Sequence, residues 1–394
     1  MYIILFDPNT IAIYYLIMQY CSKCLNLDTR PDLKFYENKC PACVYWESMQ
    51  NVNWKQRLSE LKEFLKKFPK FPRRKFDCIV GVSGGKDSTR QALWVRDTLK
   101  LRPLLVTVAY PPEQITKRGA DNISNLINLG FDVHFLSYSP QTWRKLAKES
   151  FLRFTNYMKF SEYAIASVGP ILAIKYRIPI VFIGENPAHQ LGMVTTMGKT
   201  GFDGNRLRYM DTVQGGKIDW FLKAGFKKEK VFQFEYPSEK EIKKFKVQAI
   251  YISYFWKDWS IVDNGIYSSL NGLKIRTDQF KNTSDLYGVF ALDEDWITFN
   301  QVIKYYKFGF GRTSDYVNEE IRIGRITREE GIKLVEKYDA VFGKKYVKDF
   351  CKYIRISEEK FWQQVKKNVN RKLFKINSKG KIIPKFKVGY GLVK

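Results

Sequence analysis

The chain is 394 residues long, and 67 Lys and Arg against 40 Asp and Glu leave a formal net charge of +27. Its 45% apolar and 16% aromatic residues supply core material and exclude wholesale disorder, while Gly, Pro and Cys are too scarce for a collagen-like, mucin-like or disulfide-scaffold class. A basic excess this large points to nucleic acid, to an anionic surface, or simply to Lys-rich solvated helices.

Residues 1–17 are apolar but interrupted by Asp7, Pro8 and Asn9. The run is too short to span a bilayer at ~20 residues. It lacks the basic start and small-residue cleavage site of a signal peptide. We read 1–17 as a candidate upstream extension before Met18, and expect a cytoplasmic protein with no membrane span.

Residues 18–50 carry Cys21, Cys24, Cys40 and Cys43 as C-x2-C-x15-C-x2-C. In a reducing compartment paired cysteines bind metal more often than they form disulfides. Two such knuckles close a tetrahedral zinc site with Zn–S of ~2.3 Å and no position left for a catalytic water, so the expected role is structural. An iron–sulfur cluster is the other occupant that this spacing allows. Cys78 and Cys351 are isolated and read as small core residues.

Residues 51–75 form a linker, with Trp54, Leu58, Leu61, Phe64 and Leu65 at helical spacing and Pro69 and Pro72 as the stop. From 76 to 239 short apolar runs at 76–84, 101–110, 130–138 and 177–185 read as buried strands, separated by helical segments at 87–100, 118–129 and 141–176. That alternation predicts an α/β fold with a doubly wound parallel sheet. His134, inside the third run, is expected to be a satisfied core histidine. Residues 240–394 lose the alternation and read as a mostly helical substrate or partner region.

The sharpest chemical signal is Ser83-Gly84-Gly85-Lys86-Asp87-Ser88, where a predicted strand runs directly into a helix. Adjacent glycines let backbone N–H groups approach an anion, and the helix start adds a favourable dipole. Lys86 supplies positive charge and Asp87 a ligand for magnesium on the phosphates. The spacing matches neither the common nucleotide-binding loop nor the dinucleotide fingerprint. By the rule that ligands lie at the carboxyl ends of parallel strands, Thr107 would flank the adenine, and Gly184, Glu185 and Asn186 would border the same site.

The hexapeptide resembles the pyrophosphate loop of the ATP α-hydrolases, the PP-loop ATP pyrophosphatase superfamily. With the strings at 20–43, 80–93, 183–187, 305–315 and 319–339, the chain resembles the N-acetyl sugar amidotransferases of surface-polysaccharide (lipopolysaccharide O-antigen) and flagellin-sugar biosynthesis. The resemblance implies that ATP adenylates the acetamido oxygen of a nucleotide-linked sugar and that ammonia then displaces AMP, leaving an acetamidino group. It also implies ATP, Mg2+ and structural Zn2+ as cofactors. Ammonia would come from a separate glutaminase and a cyclase-like channel subunit related to imidazole glycerol phosphate synthase.

Ser83, Gly84, Gly85, Lys86, Asp87, Ser88, Thr107 and Gly184 are thus the expected nucleotide set. Lys86, Asp87 and Glu185 are expected in catalysis, with His189 as proton acceptor for ammonia. Asn186, Lys307, Arg312, Asp315, Glu320 and Arg322 are expected to hold the nucleotide-sugar, Arg being suited to bidentate phosphate pairing. No nucleic-acid partner is expected. A tRNA-modifying PP-loop enzyme, thiolase or ligase, is the alternative: the cysteine quartet and the charge favour it. Against it stand the lack of any further cysteine pair after Cys43 and the dispersal of the basic residues.

Overall fold

The computed structural model describes residues 18–31, 33–68, 75–210 and 212–393. The candidate extension 1–17 and the stops at Pro69 and Pro72 lie outside the described residues. After the first cysteine pair come helix α1 (Pro41–Met49) and helix α2 (Trp54–Lys66), the latter started by Asn53, whose side chain accepts from the Gln56 N–H.

The centre is a parallel sheet of β1 (Cys78–Gly81), β2 (Pro103–Ala109), β3 (Val133–Ser137), β4 (Ile180–Ile183) and β5 (Gln248–Tyr251) in the order β3-β2-β1-β4-β5. Helices α3 (Lys86–Asp97), α4 (Lys117–Asn128), α5 (Pro140–Phe154) and α6 (Lys159–Tyr176) connect the first four strands. Successive strand residues point to opposite faces, so Cys78, Val80 and Val82 pack with Leu93, Ile123 and Leu126, whereas Ile79 and Val106 pack with Val168 and Leu172 of α6. Both faces are covered, as a parallel sheet requires.

Three expectations need correction. The stretch 141–176 is two helices, because Thr155 adopts a left-handed conformation (φ 45°) that ends α5. The third strand is an edge: Phe135 is 50% exposed, and His134 is no core residue but half-buried, its Nδ1 3.1 Å from the Tyr176 hydroxyl. The sheet also continues past residue 239, since β5 lies in the region read as helical.

The C-terminal region is otherwise mostly helical. A short helix α7 (Pro187–Leu191) follows β4. After β5 come α8 (Ile261–Leu270), α9 (Ile297–Phe308), α10 (Arg312–Arg322), α11 (Arg328–Tyr338), α12 (Lys344–Ile354) and α13 (Glu358–Lys367), then an antiparallel hairpin, β6 (Phe374–Ile376) with β7 (Ile382–Pro384). An aromatic cluster joins α5 and α6 to α9, α12 and α13 through Trp143, Phe151, Tyr157, Phe299, Phe350 and Phe361. The cysteine segment shares a core with the C-terminal helices: Leu25, Leu27 and Leu33 pack with Phe310, Val317, Ile321 and Ile332. Among the described residues no helix is long and apolar enough to cross a membrane.

Candidate active site

From β1 the chain moves outward through β2 and β3, then returns to β4 on the other side of β1. This reversal opens a crevice at the carboxyl ends of β1 and β4, the position where doubly wound sheets bind ligands. The segments 82–85 and 184–186 border it. Gly84 has φ +72°, and a Cβ there would lie 3.2 Å from Asn122 and Ile123 of α4, so glycine suits both the turn and the approach. Gly85 precedes α3 without a side-chain cap, leaving the first helical N–H groups for an anion.

Lys86 and Asp87 begin α3. Lys86 is 5% exposed, and its Nζ lies 2.6 Å from Asp87 Oδ2. Asn264 of α8 donates from Nδ2 to Asp87 Oδ1 at 2.6 Å and accepts from Arg90 Nη1 at 2.7 Å. Ser268, one turn on, donates to the Lys86 carbonyl at 2.6 Å. Glu185 reaches solvent at the mouth of the crevice. Crowding by protein and the neighbouring Asp87 carboxylate push its pKa up, with Lys86 opposing. Gly184 is fixed by packing, since a Cβ there would meet Gln91 Oε1 at 2.7 Å. The corner is held by Trp259 Nε1 donating to the Gly184 carbonyl and Ser253 donating to that of Glu185.

The structure therefore brings Ser83–Ser88, Gly184 and Glu185 together, with buried Thr107 near the carboxyl end of the adjoining strand β2. It takes the other expected residues elsewhere. Asn186 is 4% exposed and caps α7, its Oδ1 accepting from the His189 N–H. His189 does not face the crevice as a base for ammonia: it is 3% exposed, lies between Trp46 and Trp259, and places Nε2 3.0 Å from Glu319 Oε1. Burial pushes its pKa down, with Glu319 opposing.

The expected sugar-binding residues are corrected likewise. Lys307 donates to the Phe154 and Thr155 carbonyls at the end of α5. Arg312 is buried between the Phe290 and Tyr316 rings, at 3.8 and 4.1 Å. Asp315 is paired with Arg30 and Lys304, each at 2.7 Å, and Glu320 with Arg325. Arg322 donates from Nη1 to the His189 carbonyl at 2.8 Å. The residues missed from sequence were Asn264 and Ser268. Two polar residues four apart on one helix face were the available signal.

The four cysteines converge. All are buried, their sulfurs lie within 4.8 Å of one another, and the Cys21–Cys43 and Cys24–Cys40 pairs are 3.8 and 3.6 Å apart. A tetrahedron with bonds of ~2.3 Å has edges of about 3.8 Å, so the donor set fits one four-coordinate ion. The Leu25 N–H donates to Asn318 Oδ1, pinning the first knuckle to α10. Arg322 sits beside the sulfurs: although burial opposes its charge, Cys24, Cys43 and Cys40 favour it and raise its pKa. A separate cleft of about 550 Å³ is lined by Lys145, Lys148, Lys227 and Lys230 near the edge strand and includes none of the loop residues.

Residues 274–387 match the family model described as LPS biosynthesis protein WbpG-like, C-terminal domain. That stretch is similar to the WbpG-like C-terminal domain. The strings at 305–315 and 319–339 lie inside it, so the family likeness expected from them is borne out. No curated protein matches the chain.

The solved structures similar to it include two synthetases and a thiolase. NMN synthetase from Francisella tularensis is 15% identical, covers 50% of this chain and 94% of its own, and has a TM-score of 0.27. NH3-dependent NAD synthetase from Campylobacter jejuni is 16% identical over 58% of this chain and 100% of its own, at 0.26. The U34-tRNA thiolase NcsA from Methanococcus maripaludis is 16% identical over 72% and 80%, at 0.29.

Proposed function

We propose that the chain is an ATP-dependent N-acetyl sugar amidotransferase acting on a nucleotide-linked sugar in surface-polysaccharide or flagellin-glycan biosynthesis. The observation that carries this reading is the junction between the phosphate loop and the WbpG-like domain. Asn122 of α4, which underlies Gly84, exchanges hydrogen bonds with the backbone of Lys274, the first residue of that domain, at 2.7 and 3.0 Å.

In the proposed reaction the loop N–H groups and Lys86 hold the pyrophosphate portion of ATP. Their charge is already in place when the bond between the α- and β-phosphates breaks. Asp87 and Glu185, hard oxygen donors on facing segments, would hold magnesium, which would offset charge developing on the leaving pyrophosphate. The acetamido oxygen attacks the α-phosphorus, releasing pyrophosphate and forming an O-adenylyl imidate. Ammonia adds to the imidate carbon, AMP leaves with the oxygen, and a proton is lost to give the acetamidino group. With His189 buried, Glu185 is the titratable group at the crevice suited to take that proton.

A separate glutaminase with a channel subunit would supply the ammonia. A thiol glutaminase needs an ionisable cysteine beside a base. Four cysteines converge on the metal set, and burial pushes the Cys351 thiol up to about 12 and the Cys78 thiol well above its ordinary value. We assign zinc to the quartet and place the enzyme in the cytoplasm.

The test is mass spectrometry of candidate nucleotide-sugars incubated with the protein, ATP, magnesium and ammonium. Exchange of oxygen for NH lowers the product by about one mass unit, and a sugar with an acetamido group but no carboxylate excludes carboxyl amidation, which shifts the mass equally. Turnover with glutamine as sole nitrogen source contradicts the proposed division of labour. ATP–pyrophosphate exchange stimulated by tRNA and not by acetamido sugars favours the tRNA-modifying alternative.

A further inference from the structure

The buried polar groups between the cysteine quartet and the phosphate loop form one continuous chain. It starts at the first knuckle, where the Leu25 N–H donates to Asn318 Oδ1 of α10 at 2.8 Å. The next residue of α10 is Glu319, whose Oε1 lies 3.0 Å from His189 Nε2, and Arg322 Nη1 donates to the His189 carbonyl at 2.8 Å. Glu319 Oε2 accepts the Ile261 N–H at 2.7 Å, at the first residue of α8. One turn along α8, Asn264 holds Asp87 Oδ1, and one turn further Ser268 holds the Lys86 carbonyl. Glu319, Arg322, Asn264 and Ser268 are each 3% exposed or less.

We propose that α8 is a positioning strut, anchored on the first cysteine knuckle through Asn318 and Glu319 of α10, that sets the Asp87 carboxylate for nucleotide binding. Leu25 follows Cys24 directly, so an ion held by the quartet also fixes the Leu25 N–H against Asn318 of α10. Loss of the ion frees this knuckle and releases α10, taking Glu319 from the Ile261 N–H and Asn264 from Asp87. Coupling of this kind is reciprocal, so nucleotide bound at the loop must in turn hold the metal more tightly. Asn264 and Glu319 are positioning residues here. They touch neither nucleotide nor metal.

This inference rests on the assignment of Ser83–Ser88 to ATP, and the experiment separates the two. The rate at which a chromogenic chelator draws metal from the full-length protein is measured with and without saturating magnesium and α,β-methylene-ATP, whose binding is followed by calorimetry. Nucleotide is expected to slow metal release on the order of fivefold. In Asn264→Ala and in Glu319→Gln nucleotide still binds, more weakly, and metal release ceases to respond to it. The second variant retains the shape of the side chain should the first fail to fold. Binding without any slowing in the native protein overturns the strut and leaves the ATP assignment standing. Absence of nucleotide binding overturns the ATP assignment and the strut with it.

Discussion

Around the loop Ser83–Ser88 several polar groups stay open to solvent, although Lys86 is buried against Asp87. Ser83 is exposed, the N–H groups at the start of α3 have no side-chain cap, and Glu185 stands at the open mouth. In the helix Arg312–Arg322 all 11 residues are buried, although five of them are charged. The first region leaves polar groups open to a ligand. The second pairs its charges inside the fold: Asp315 with Arg30 and Lys304, Glu319 with His189, Glu320 with Arg325. Substitutions should therefore divide, loop changes acting on turnover and helix changes on stability, with Glu319, which reaches α8, the exception.

The largest expected effect lies on the buried side. Stripping the metal should lower the unfolding free energy by on the order of 5 kcal/mol or more, since structural metal binding is itself folding energy. Denaturant unfolding with and without chelator measures it, and equal midpoints would remove the metal from the buried region. The loop comes next. Lys86→Ala should reduce kcat by roughly 10²–10³-fold, the usual cost of losing a preorganised charge, while metal content and unfolding midpoint stay close to native. A variant that melts early without a matching loss of turnover would merge the two regions.

How these regions read in the sequence follows from the same contrast. The loop was legible because its logic is local: a strand, two glycines and a helix start lie within a few consecutive residues, and the cysteine quartet is likewise fixed by spacing. The string at 305–315 was legible as a family mark but misread as an anion site, because an arginine beside glycines looks alike whether it faces solvent or a core. In the structure Gly309 (φ +83°) ends α9, and Gly311 allows close approach to Asp339, which accepts from the Gly311 and Ser314 N–H groups and so caps α10. Strand β5 escaped because it is four residues long and follows a Lys-rich turn. Asn264 meets Asp87 across 177 positions, a contact that no local pattern announces.

Gly311→Ala tests the structural reading of that string. The new Cβ would lie 2.5 Å from the Asp339 carbonyl oxygen, a backbone atom that cannot swing away. Forced displacement of this kind should cost about 2 kcal/mol. Urea unfolding reads the loss, with kcat of the folded protein expected unchanged. Native stability combined with a raised KM for the nucleotide-sugar would return the string to substrate binding.

The smallest effect separates two buried carboxyls within the C-terminal region. Burial works against the charge of Asp315, yet Lys304, Arg30 and Arg312 hold it well below the usual carboxylate range. Among the described residues no cation forms an ion pair with the Glu294 carboxylate. Burial pushes its pKa up to about 8, while the Tyr157 hydroxyl and the Trp296 N–H, which donate to its carboxylate at 2.6 and 2.8 Å, pull it back only in part. Their linkages have opposite signs. Asp315 is depressed on folding, so its contribution is present above the unfolded carboxylate pKa and lost as pH falls through the lower folded value. Glu294 is raised, so between the unfolded value of ~4.3 and about 8 the folded state binds the extra proton and stability falls as pH rises. Glu294→Gln should flatten that decline, an effect of about 1 kcal/mol over the single pH unit below the folded value, and leave the acid limb unchanged. An undiminished slope in the variant would assign the proton to another group, and Asp293, pushed up by burial to about 6, is the adjacent one to substitute next.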